Sequence, residues 1–475
     1  MGSSSAESRE EAPVGSLICP EPAERPDLWP WTMRRDADGV LSLAGVPLTT
    51  IAQDFATPAF VMDRADLRGR AQVWASAMAE EFWDGYGMSG GDAFYAGKAF
   101  LCSDVVRTVT GVGMGVDTAS LGELTCALRG GALPSVIGLH GNNKLDSEIE
   151  TALLAGDKEG IERIFIDSLS EVAQVEKIAA HLGVRARVMI RVKTGVHAGG
   201  NEYISTGHED QKFGVGAFDG QLDEVVSAIA ASPHLELRGL HSHIGSQIHG
   251  VDAFKEAAAI MCDLSAKVSA QIGAPLPEID LGGGVGIAYT GADPVPTAPI
   301  EVVRAVASVI REKCTELGIA IPRVSVEPGR SVVGPTTISL YRVGAVKDAI
   351  LGSDTHRRRY VAVDGGMADN IRPALYGAHY TATLANRISD APVVRSRVVG
   401  KHCESGDIIV WDVDLPSDIQ SGDLLAVPAT GAYGYSMASN YNMLPKPGVI
   451  AVENSEAKWI VRPQTIDDVL ALDCG

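Results

Sequence analysis

The sequence predicts an α/β plus all-β chain: a (β/α)8 barrel of the TIM type with a C-terminal antiparallel β domain that also takes in the N-terminal strand segment. Three observations predict it. From about residue 58, eight short apolar runs alternate with stretches of helical spacing. After about residue 330 that rhythm gives way to period-two alternation bounded by Gly, Pro and Asp, as in "DIIVWDVDLP" and "DLLAVPATGAYGYSM". The segment 38–55, "DGVLSLAGVPLTTIAQDF", has the same β texture ahead of the first repeat.

The eight runs are "AFYAGKAFL" (93–101), "GMGVDTA" (113–119), "PSVIGLH" (134–140), "RIFIDS" (163–168), "RARVMIRV" (185–192), "LRGLHSHIG" (237–245), "EIDLGGG" (278–284) and "RVSVEPG" (323–329). Between them, stretches such as "SLSEVAQVEKIAAHLG" space their apolar residues by three and four, with Ala, Glu and Lys between. A helix-like segment from Asp63 to Phe82 precedes the first run. Eight strand-helix repeats match a parallel barrel, with a doubly wound open sheet as the competing geometry. The expected domains are a disordered tail over 1–30, a segment joining the β domain over 31–57, the barrel over 58–326 and the β domain over 327–475.

Composition narrows the function. The 475 residues are 45% hydrophobic and 21% charged, as in globular proteins, and a formal net charge of -20 opposes nucleic acid and anionic membranes as partners. Seven scattered cysteines, without a C-x-x-C pair, fit a reducing cytoplasm and leave no metal to expect. The Ser-, Glu- and Pro-rich start lacks the basic and apolar regions of a signal peptide, and no apolar stretch has membrane-spanning length.

In a (β/α) barrel, reactive side chains gather at the C-terminal strand ends. Lys98, His140, His241, His243, the Gly282, Gly283 and Gly284 run and Glu327 all fall there. Alone, Lys98 reads as a snorkelling lysine; in company it reads as an amine desolvated in an apolar pocket, walled by Phe94, Ala96 and Phe100, and nucleophilic toward a carbonyl. The three glycines let backbone N–H groups approach a phosphate, Ser246 sits in a Gly-flanked turn suited to an anion, and Glu327 can keep a ring nitrogen protonated. An amine, a flat ring, a phosphate cradle and an acid are the contacts that pyridoxal 5'-phosphate requires.

The motifs "FYAGKAFL", "LHGNNK", "HEDQKFG", "HSHIGSQ", "DLGGGVGIAY", "EPGR", "RPALYGA", "CESGD" and "GAYGYSMASNYN" run in order from residue 94 to residue 442. With them the chain resembles the barrel-type, alanine racemase-like pyridoxal-phosphate decarboxylases. The resemblance implies that Lys98 holds the cofactor, His243 stacks on its ring, Glu327 pairs with its ring nitrogen, Ser246, Gly282, Gly283, Gly284 and Tyr433 bind its phosphate, and Arg330 also contacts it. It implies that Arg330, Arg372, Tyr376, Tyr433 and Glu404 hold the substrate, with Cys403 or Lys98 returning a proton to it. Cys403 and Glu404 are then contributed by the partner subunit of a homodimer. Two guanidinium groups and an acid suit a substrate whose distal end is itself an amino acid. The implied reaction is therefore decarboxylation of meso-2,6-diaminopimelate to L-lysine and CO2, the last step of lysine biosynthesis. A related barrel-type decarboxylase acting on lysine, ornithine or a diaminopimelate-like substrate is the alternative, ahead of an amino-acid racemase. Gly199, Gly200 and Asn440 depart from the pattern, and none lies among the assigned contact residues.

Overall fold

The computed structural model describes residues 17–196, 212–350 and 357–475. Gly199, Gly200, residues 208–211 of "HEDQKFG" and residues 1–16 lie outside them. Ahead of the barrel come β1 (Arg34–Arg35), β2 (Leu41–Leu43), β3 (Val46–Pro47) and β4 (Ala59–Asp63). The next strands are β5 (Gly91–Ala96), β6 (Gly115–Thr118), β7 (Ile137–Leu139), β8 (Arg163–Ile166), β9 (Ala186–Lys193) and the short β10 (Val215–Gly216). Then follow β11 (Leu235–His241), β12 (Glu278–Asp280) and β13 (Arg323–Val326).

Apart from β10, which among the described residues pairs only with β9, the strands β5 to β13 form one parallel ring. It closes where β13 pairs with β5, Val326 opposite Ala93. Each of the eight predicted runs contributes one strand of this barrel. The apolar stripes of the intervening helices pack against it. Asp63, Ser120 and Ser168 start three helices, the first of them ahead of β5, by accepting the N–H groups of Asp66, Glu123 and Glu171, caps worth about 1 kcal/mol each.

The second sheet holds β14 (Thr337–Ile350), β15 (Arg357–Val363), β16 (Thr383–Leu384), β17 (Val393–Val399), β18 (Ile408–Pro416), β19 (Leu424–Val427), β20 (Gly448–Glu453) and β21 (Glu456–Val461). Most neighbours are antiparallel, as expected, but β15 with β17 and β4 with β20 are parallel, so the sheet is mixed.

Three expectations need correction. First, β4, placed in the barrel by the boundary at residue 58, is a strand of the second sheet, between β14 and β20. Its residues are buried throughout because sheet and barrel both cover it, which a boundary drawn by local rhythm does not register. Second, residues 17–30 are not a tail. Leu28 and Trp29 are fully buried, Trp29 donates to the Pro20 carbonyl at 2.9 Å, and Leu17 N–H reaches Asp414 at 2.9 Å. Third, "AFYAGKAFL" is not one strand: β5 stops at Ala96 and Gly97–Ala99 is a 3-10 turn. A Cβ on Gly97 would lie 2.8 Å from the Asp117 carbonyl oxygen, so glycine lets this turn press against β6.

The segment 31–57 packs its Leu41, Leu43, Leu48 and Ile51 into the same apolar cluster as Leu340 and Leu425 of the β domain, but β1, β2 and β3 form a separate three-stranded sheet. Among the described residues no helix is long and apolar enough to cross a membrane.

Candidate active site

Where the C-terminal ends of the barrel strands meet the β domain, a cavity of about 400 Å³ opens. The barrel supplies Ala96, Lys98, His243, Ser246, Gly284 and Glu327, and the segment that follows supplies Arg330, Arg372, Tyr376 and Tyr433. Tyr433 N–H donates to the Ala99 carbonyl at 2.9 Å and Ser436 Oγ to the same oxygen at 3.0 Å, so the β domain is tied to the turn carrying Lys98.

Lys98 is exposed to this cavity. This corrects the apolar enclosure expected of it: of the three proposed walls only Ala96 lines the cavity. Phe94 points into the barrel beneath the Arg163 guanidinium and Phe100 packs edge-on against Tyr435. The end of the strand, not desolvation within it, presents the amine.

Glu327 follows β13 and lies 3.0 Å from His140 Nε2 and 3.2 Å from His241 Nε2. Burial alone would raise its pKa, but the two imidazoles outweigh burial and hold the carboxyl well below the usual range. Burial opposes the charge on His140 as well, yet Glu327 and Asp117 raise its pKa. His241 has no exposed surface, and burial drives its pKa down to about 3 against the pull of Glu327. The trio thus favours charge on the Glu327 carboxylate and opposes it on the His241 ring. Its ligand atoms lie within 4.8 Å of one another, close enough for a metal ion to share, although the sequence assigns no metal. His243 accepts the Gly283 N–H at Nδ1 (3.2 Å), and burial followed by the nearby Lys98 charge pushes its pKa well below 6.5, leaving a neutral flat ring.

A stability prediction follows. An unfolded chain binds a proton on His241 as pH falls through 6.5, whereas the folded chain does so only near pH 3. Native stability is therefore lost as pH falls across that window, with a slope of up to about 1.4 kcal/mol per pH unit from this one group. Denaturant melts between pH 6.5 and 4.5 should show a shallower slope in His241→Gln; an identical slope would contradict the assignment.

Also on the cavity wall, Arg330 Nη2 donates to Ser246 Oγ at 2.9 Å and Nη1 to the Tyr289 hydroxyl. Arg372 donates to the Tyr380 hydroxyl and lies 4.6 Å from the Tyr289 ring centre. The glycine loop is closely packed: a Cβ would lie 2.6 Å from Ser242 O at Gly282, 2.2 Å from Glu327 O at Gly283 and 2.5 Å from Gly245 O at Gly284. Only Gly284 of the three reaches the cavity; Gly282 and Gly283 lie behind it. Cys403 and Glu404 do not line the cavity of their own chain. They are exposed on the loop between β17 and β18, where Cys403 N–H binds Asn442 Oδ1 at 3.1 Å.

An amine, a neutral ring, an ionised carboxylate and a rim of guanidinium, hydroxyl and loop N–H donors fit pyridoxal 5'-phosphate, and the cavity is of ligand size. Sequence reasoning placed His140 and His241 at strand ends but gave them no role, and it missed Asp117, Tyr289 and Tyr380. Level barrel strand ends were the available signal for Asp117 and the two histidines; Tyr289 closes the motif "DLGGGVGIAY", and nothing local marks Tyr380.

The comparisons agree with this geometry. Residues 65–334 match the family model "Pyridoxal-dependent decarboxylase, pyridoxal binding domain". Diaminopimelate decarboxylase of Mycobacterium tuberculosis is 46% identical over 453 residues, covering 94% of this chain and 98% of that protein. Two solved diaminopimelate decarboxylases, both in complex with L-lysine, share the architecture. The one from M. jannaschii has a TM-score of 0.84 at 27% identity, covering 94% of this chain and 98% of that one. The one from Helicobacter pylori has a TM-score of 0.79 at 29% identity, covering 90% and 99%. Parallel barrel, strand-end constellation and near full-length likeness converge: the chain belongs to the pyridoxal-dependent decarboxylases, within the diaminopimelate decarboxylase family.

Proposed function

We propose that the protein decarboxylates meso-2,6-diaminopimelate to L-lysine and CO2 with pyridoxal 5'-phosphate. The carrying observation is one cavity lined by Lys98, His243 and Glu327 together with the guanidinium groups of Arg330 and Arg372. When bound, the cofactor supplies an electron sink conjugated to the substrate's amino nitrogen.

The chain's residues do the rest. Lys98 Nζ would hold the cofactor covalently, yield it to the substrate amine, and then stand free as a proton carrier beside the reacting carbon. Glu327, kept ionised by its imidazole neighbours, would hold a proton at the ring nitrogen, and neutral His243 would lie flat against the ring without adding charge. Ser246, Gly284, Arg330 and Tyr433 would bind phosphate, while Gly282 and Gly283 set the loop's path. Arg330, Arg372 and Tyr376 would orient the distal amino acid end. Arg372→Ala removes a charge-assisted bond and should cost about 2 kcal/mol, a roughly 30-fold loss in kcat/KM for diaminopimelate expressed mainly in KM. An unchanged KM would place Arg372 outside substrate binding.

In this reading the protein is a homodimer with shared sites: Cys403 and Glu404 are exposed in their own chain and would complete the partner's cavity. Glu404 would receive the distal ammonium and Cys403 or Lys98 would return the proton. Mixing Lys98→Ala chains, inactive alone, with Glu404→Ala chains, which lack the acceptor for the distal ammonium, should then raise activity toward about a quarter of wild type, because half the random dimers carry one intact site. No recovery on exchange would refute site sharing. The scattered free thiols support a cytoplasmic location.

The function is tested by assaying carbon dioxide and lysine release from meso-diaminopimelate beside ornithine and lysine as substrates.

A further inference from the structure

Inside the barrel, beneath the cavity, Arg163 is fully buried, an expensive place for a charge unless its partners are built in. They come from three other strands. On β12, Glu278 lies 2.6 Å and Asp280 2.9 Å from the guanidinium. Ser325 of β13 accepts from Arg163 at 3.0 Å and itself donates to Glu278, and the Phe94 ring of β5 stacks 3.7 Å away. Arg163 therefore joins the strands that lead to Lys98, to the glycine loop and to Glu327.

The link to the loop is direct. Asp280 accepts the Gly282 N–H at 2.7 Å, fixing the second residue after β12, where φ is +66°. From that root the chain runs through Gly283, whose N–H holds His243, to Gly284 on the cavity wall, where φ is +120°. Burial and the neighbouring Glu327 carboxylate push the Asp280 carboxyl up, and Arg163 is the first opposing charge.

We propose that Arg163 is a positioning residue for the phosphate end of the cofactor site, acting through Asp280 on the Gly282–Gly284 loop. It does not line the cavity, so it is not a catalytic residue. The inference rests on the reading of that loop, with Ser246, as the phosphate cradle. With guanidinium and carboxylate paired, the loop N–H groups are held before the ligand arrives, and the benefit falls on the phosphate.

Pyridoxal, which lacks the phosphate, separates this role from a general structural one. Full-length protein freed of cofactor is titrated with pyridoxal 5'-phosphate and with pyridoxal, following the absorbance of the lysine-bound form. Arg163→Met should raise the Kd for pyridoxal 5'-phosphate about tenfold or more and leave that for pyridoxal within about twofold. Arg163→Lys, which keeps the charge but not the fork that spans Glu278 and Asp280, should show a smaller loss of the same selectivity, and it decides the matter if the methionine variant does not fold. An equal loss for both ligands, or no loss, would overturn the proposal. Ser246→Ala and Gly284→Ala serve as references. If they also leave the preference for the phosphorylated ligand intact, the cradle reading itself fails; if they reduce it while the Arg163 variants do not, only the role of Arg163 fails.

Discussion

Lys98→Ala should abolish carbon dioxide release, by a factor on the order of 10³ or more, together with the visible absorbance of the bound cofactor. The magnitude follows from its proposed double duty as covalent anchor and proton carrier beside the reacting carbon. The fold should survive, because Lys98 is exposed on a 3-10 turn and its loss leaves no cavity in the core. Far-ultraviolet circular dichroism and the melting temperature should therefore stay near wild type. A variant that keeps the absorbance would show that another amine carries the cofactor.

The second large effect is expected at Glu327. Glu327→Gln keeps the shape but cannot hold a proton at a ring nitrogen, and kcat should fall on the order of 10²-fold or more with little change in KM. The same change removes the charge that lifts the His140 pKa, at 3.0 Å. His140 should accordingly titrate at lower pH in the variant, read by NMR of the ring protons. A drop in kcat with unaltered His140 titration would mean that the carboxylate acts elsewhere.

Much of this site was legible in the sequence because barrel topology converts local rhythm into position. Once eight runs are read as parallel strands, Lys98, His243, Ser246, Gly284 and Glu327 must lie at one end. What local rhythm does not carry is pairing between distant segments. Thus β4 reads like the opening of the barrel yet hydrogen-bonds to β14 and β20, and Leu28 and Trp29 sit in a Pro- and Glu-rich stretch without periodicity yet fill the core beside the β domain. His140 and His241 gain meaning only from three strands converging on Glu327. Arg163 reads like an ordinary polar residue opening a strand, and only the closed barrel turns it inward.

The reaction itself is tested most directly by supplying meso-diaminopimelate, ornithine and lysine in parallel to the purified holoenzyme and measuring carbon dioxide and amine products. The proposed two-guanidinium clamp of Arg330 and Arg372 predicts carbon dioxide and L-lysine in equal amounts from diaminopimelate, with at most trace release from the other two. Carbon dioxide from ornithine or lysine, with none from diaminopimelate, would contradict it.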